Sequence, residues 1–163
     1  MKLSFRIKHH FFSAFREFFV HHHGSLEFRA KIFALLIASN KESTLDCYIV
    51  VKNIGLNIYK TDEDSSNLLI LSTKELVKRV HDDNALDIDT LVSNIQKELK
   101  IIPRYAKKID VDSLRPIVSL THDRDSISYQ EHILEFLETL KEETLYSKKS
   151  QIEKDEKNLE SKY

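Results

Sequence analysis

The sequence predicts an all-α fold: a single domain of about seven to eight helices in two helix-turn-helix halves. Three observations predict it. The 163 residues include only two glycines and two prolines, where average usage is about 7% and 5%, and tight β-turns lean on both. Apolar residues recur at three- and four-residue spacing along most of the chain, the period of a helix with one buried face. Serine and acidic residues stand where such segments begin, as helix caps do. With 41% hydrophobic residues, the chain can build one ordinary core, and two separate domains would be cramped.

The first segment, about Ser4 to His22, holds "HHFFSAFREFFVHHH". Phe5, Phe12, Phe15 and Phe19 share one face with Phe11 and Phe18, and Arg6, His10, Ser13 and Glu17 lie opposite. Gly24 is placed to stop that helix, and Ser25 to cap a second over about Leu26 to Ser39. Its middle, "IFALLIA", is apolar on all sides, which describes a central buried helix.

"SNKES" interrupts, and Ser43 with Asp46 caps a third helix to about Lys60. A competing α+β reading places a hairpin over about 47–71, because "CYIVVKNIGLNIYK" is rich in β-branched residues. Helix is preferred: Cys47, Val50, Val51, Ile54 and Ile58 form one stripe, and Asp46, Asn53, Asn57 and Lys60 form the opposite face.

Asp64 or Ser65 caps a fourth helix to about Val80, with Leu69, Leu76 and Val80 inward. After "HDDNALD", a fifth runs from about Ile88 to Ile101 with Ile88, Leu91, Val92, Ile95 and Leu99 in clean helical period. Tyr105 to Ile109 is a short helix, and Asp112 caps another through Leu120, with Pro116 tolerated in the first turn. "DRDSISYQEHILEFLETL" reads as a polar turn, a capping box of Ser128 with Glu131, and a helix with Ile133, Phe136, Leu137 and Leu140 on one face. Residues 141–163 carry six lysines and six acidic residues, with Leu145, Ile152 and Leu159 at seven-residue spacing. This is a frayed extension of the last helix or a short seam. The organisation expected is an N-terminal amphipathic segment, 1–23, a helical domain, 24–140, and a charged tail, 141–163.

An internal symmetry accompanies these elements. "ALLIASNKESTLD" and "PIVSLTHDRDSISYQE" share an order of apolar helix, polar turn, capping serine, acid three residues on, and a further helix. With these turns the chain resembles the TerB-like family of tellurite-resistance proteins over about Leu26 to Leu140. In "ASNKESTLD", Asn40 stands where the family has Asp, Lys41 where it has Gly, Ser43 at the cap and Asp46 at the acid. In "THDRDSISYQE", Ile127, Ser128 and Glu131 are in register, and "LDIDTLVSNIQKELK" is similar to the family's middle helix. The resemblance implies a non-catalytic, stress-associated protein that works through membrane or protein partners, with a metal link in some members.

Charge and cysteine content exclude several classes. With 25 Lys and Arg against 26 Asp and Glu, no global field attracts nucleic acid. One cysteine, Cys47, allows no intrachain disulfide and no cysteine-based zinc site. The N-terminus lacks a cleavage signal, and the longest apolar run, Ile32 to Ala38, is far short of the ~20 residues of a membrane span. A cytoplasmic protein is expected, with or without peripheral attachment at the inner membrane face. No nucleophile elbow or phosphate loop is present, so no enzyme is expected.

Two candidate sites remain. Arg6, Lys8, Phe11, Phe15, Arg16 and Phe18 form an aromatic, basic face suited to a protein partner or an anionic membrane surface, and packing on the core is the competing use of that face. Its histidines fall in two clusters about 18 Å apart along a helix, too far to share one metal. His122, Asp123, Asp125 and Glu131 are the best local set for a divalent cation. Capping competes for Glu131, and the spacing does not fit a calcium-binding EF-hand loop. A metal-responsive binding protein is therefore the alternative function.

Overall fold

The computed structural model describes residues 24–42, 44–60, 62–82 and 86–162. Among these, the fold is all-α: α1 (Gly24–Ala38), α2 (Leu45–Tyr59), α3 (Glu63–His81), α4 (Ile88–Ile101), a 3-10 helix (Pro103–Lys108), α5 (Val111–Ser119) and α6 (Arg124–Glu160). The segment expected over Ser4 to His22, the cap at Ser43 and the turn at 83–85 lie outside the described residues.

Helix α1 is the axis of the core. Leu26, Phe28, Ala30 and every residue from Ile32 to Ala38 are buried, as its all-round apolarity predicts. It packs against α3, α4, the 3-10 helix, α5 and α6. At its surface, Lys31 Nζ donates to Glu98 Oε2 at 2.8 Å. Gly24 is the first residue of α1. A Cβ at Gly24 would lie 2.6 Å from the Tyr105 hydroxyl, so the glycine accommodates the close approach of the 3-10 helix.

Residues 45–59 are helix, and the hairpin alternative does not form. Cys47 and Val51 are buried, and Val50 and Ile54 pack half-buried against the core. The 3.6 period outweighs β-propensity here because the stripe has a continuous apolar partner in α3. Gly55 lies on that contact, 3.4 Å in projected Cβ distance from Leu69 and Ser66.

The starts of α3, α5 and α6 differ from expectation in a consistent way, and that of α4 is as expected. Helix α3 is capped by Asp62, whose carboxylate accepts from Ser65 N at 3.0 Å, rather than by Asp64 or Ser65. Helix α5 is capped by Asp110, accepting from Ser113 N, rather than by Asp112. Helix α6 starts at Arg124 under Asp123, which accepts from Ser126 N at 3.0 Å. Ser128 and Glu131 are therefore inside α6 and do not form its capping box. Helix α4 is capped by Asp87 on Thr90 N at 2.7 Å. All four starts read Asp-x-Asp-Ser/Thr: "DEDS", "DIDT", "DVDS" and "DRDS". The first Asp accepts the orphan N–H at the third helical position, and the second adds negative charge to the positive end of the helix dipole.

Candidate functional site

The carboxyl end of α1 gathers polar groups from three other elements. Leu36 O accepts from Ser39 Oγ at 2.6 Å and from Gln130 Nε2 of α6 at 3.1 Å. His81 Nε2, at the end of α3, lies 3.3 Å from Ala38 O. Asn40 Oδ1 accepts from Glu42 N at 3.1 Å, turning the chain, and Asn40 Nδ2 donates to Thr121 Oγ1 at 3.4 Å. The two turns related by sequence symmetry thus touch.

This junction is a structural knot. The cation set read from the second turn is not assembled on it: His122, Asp123, Asp125 and Glu131 are all exposed. Asp123 is engaged as the α6 cap, and its Oδ2 also accepts from Ser126 Oγ at 2.9 Å. Glu131 lies 3.9 Å from Arg115 Nη1. Among the described residues no group of three or more His, Cys, Asp or Glu side chains converges as a metal site. The reason is local: the motif that supplies the acids spends them on starting the helix. Arg6, Lys8, Phe11, Phe15, Arg16 and Phe18 lie outside the described residues. Cys47 is buried and free, on the apolar stripe where its spacing places it.

The caps have an acid signature. The Thr90 side chain, and then the Thr90 N–H, hold the Asp87 carboxyl below its ordinary value. The Ser126 N–H, and then its hydroxyl, do the same for Asp123. A depressed folded-state pKa stabilises the fold above the unfolded value, near about 3.9, and that contribution is lost as pH falls through the lower folded value. The expected result is that Asp87→Asn/Asp123→Asn, which keeps cap acceptors but removes their titration, shows a shallower fall in Tm than the wild type between about pH 5 and pH 2. Parallel melting curves at each pH check it, and superimposable slopes would count against it.

A cleft of about 270 Å³ opens between α1, α2, the 3-10 helix and α5. Ile32, Phe33, Ile54 and Leu114 form its apolar floor, and Arg29, Lys107, Lys108 and Asp110 stand around it. The core-facing stripes of α1, α2 and α5 supply the floor, so packing fixes its shape. Arg29 is held against α2: its guanidinium lies 5.7 Å from the Tyr59 ring centroid and Nη1 donates to the Tyr59 hydroxyl at 3.4 Å. Lys107 and Lys108 end the 3-10 helix, and no carboxylate pairs with them among the described residues. Asp110 is committed to Ser113 N at 3.3 Å as the α5 cap. The rim is therefore cationic over an apolar floor, an arrangement that can receive a carboxylate beside a large apolar group.

The cleft was not legible in the sequence. "KKID" next to a short helix is a weak sign of a basic patch, but Arg29 is far from it in the chain and is brought there only by α1 packing. No helix among the described residues is long and apolar enough to cross a membrane. Comparison with protein-family models, curated proteins and solved structures gives no match.

Proposed function

We propose that this chain is a non-catalytic, TerB-like helical protein that acts by binding a protein partner in a stress or resistance setting. The observation that carries the binding reading is the cleft. Its rim carries Arg29, Lys107 and Lys108 against the single carboxylate of Asp110, no ion pair to these cations forms among the described residues, and its floor is apolar. A partner segment with an acidic residue next to a large apolar side chain matches both features. The family part of the reading rests on the paired turns and the middle helix of the sequence. The aromatic, basic face of residues 6–18 offers a second contact, to the same partner or to an anionic membrane surface.

The test is in-cell photocrosslinking from Asn57, an exposed residue on the cleft rim. A discrete protein adduct is expected there, with none from a crosslinker at Glu138, an exposed position on α6. Lys107→Glu/Lys108→Glu should abolish the adduct and leave the circular dichroism spectrum unchanged. An adduct that survives the charge reversal, or none at all, overturns the reading.

A further inference from the structure

The last helix runs well past the globule. Helix α6 continues to Glu160, and every described residue from 151 onward is exposed. The side of α6 that carries buried Leu134 and half-buried Leu145 extends along the free part as Ile152 and Leu159. These last two are 48% and 59% exposed. Leu145, Ile152 and Leu159 recur at the coiled-coil interval, so they remain on one side of the helix. At 100° per residue, Lys148 and Asp155 flank Ile152 on one side, and Lys149 and Glu156 flank it on the other.

This charge arrangement distinguishes between the ways two such helices can meet. In a parallel two-fold pair, opposite flanks meet in register. Lys148 would then face Lys149 of the second copy, and Asp155 would face Glu156, so both contacts flanking Ile152 are repulsive, against one attraction at the near end of the seam, Lys141 with Glu142. In an antiparallel two-fold pair centred on Ile152, each flank meets the same flank running the other way. Lys148 then faces Asp155 of the second copy and Lys149 faces Glu156, each contact occurring twice by symmetry, which outnumbers the one like-charge contact at the seam ends, Lys141 with Lys162. Ile152 meets Ile152, and Leu145 meets Leu159. Because Leu145 is the last apolar residue of α6 packed on the core, the two globules lie at opposite ends of the helix pair with about 21 Å of helix between them.

We infer that the free part of α6 is a self-association site, in which two copies of this chain pair antiparallel about Ile152. This inference is independent of the partner assigned to the cleft. The seam has one apolar residue per two turns, so the dimer is weak and concentration-dependent. Its ion pairs are exposed, so salt weakens it further.

Sedimentation of the full chain at low salt, from micromolar to millimolar concentration, tests the proposal. The weight-average mass should climb from 19.1 kDa toward twice that value. Ile152→Asp should hold it at the single-chain mass with the helical dichroism retained. Lys148→Glu/Lys149→Glu should raise the dimer Kd about tenfold, and adding Asp155→Lys/Glu156→Lys to the same chain should restore it. Wild type that stays monomeric throughout overturns the proposal. So does dimerisation untouched by Ile152→Asp, or a quadruple variant that fails to recover while its helical content matches the wild type.

Discussion

Phe28→Ala is expected to lower stability by about 3–5 kcal/mol. Phe28 is fully buried on α1, and its ring centroid lies 5.3 Å from that of Tyr105 at a 35° tilt. Removing the ring forfeits its transfer free energy, leaves a cavity in a core that closes on α1 from several directions, and ends the aromatic pair. Total stabilities of small domains are about 5–15 kcal/mol, so the loss is a large fraction of the whole. Urea unfolding followed by circular dichroism measures it. Leu45→Ala is the contrast: Leu45 is 75% exposed at the start of α2, and its replacement should fall within about 0.5 kcal/mol of wild type. Equal effects at the two positions would mean that α1 is not the axis of the core.

Gln130→Glu tests the junction of the two symmetric turns. Gln130 is 1% exposed and its Nε2 donates to Leu36 O, while Oε1 has no hydrogen-bond partner among the described residues. An ionised carboxylate at this position faces a carbonyl as acceptor against acceptor, and it is a buried, unpaired charge. At neutral pH the expected cost is about 3–5 kcal/mol. Protonation relieves both faults, so the folded-state pKa of the introduced group lies above its unfolded value of about 4.3. The sign follows from linkage: the variant is closest to wild type below about pH 4.3 and falls away as pH rises through the folded-state pKa. Gln130→Leu removes the amide altogether, and Leu36 O retains Ser39 Oγ, so its cost should stay within about 1 kcal/mol. Denaturant midpoints of both variants across acid to neutral pH provide the check. A pH-independent deficit in Gln130→Glu would contradict the buried geometry.

Local patterns in the chain made most of the fold legible. An uninterrupted apolar run, "IFALLIA", identified α1 as central because a helix without a polar face has nowhere else to go. In α2, spacing and β-propensity disagreed, and spacing prevailed because the stripe from Cys47 to Ile54 meets α3 along its length. Three of the helix starts lie a few residues before the expected position, because an Asp-x-Asp-Ser/Thr run offers two acids and a hydroxyl, and only the first acid is in reach of the third helical N–H; at α4 the expected start, Ile88, is the observed one. The same four-fold motif is the signal in the sequence that Asp123 caps α6 and that Asp125 stands in its first turn. The cleft was not legible, because Arg29 and Lys107 become neighbours through tertiary packing that no sequence window contains. The charge pattern around Ile152 was present in the sequence, but it acquired meaning only once α6 was seen to continue as exposed helix beyond the globule.

The most direct test of the binding account is the crosslink from Asn57, measured in the wild type and in Lys107→Glu/Lys108→Glu together with the melting temperature of each. The account predicts one discrete partner adduct in the wild type, its loss in the charge-reversed chain, and unchanged melting. An adduct of the same size and yield in both chains would contradict it.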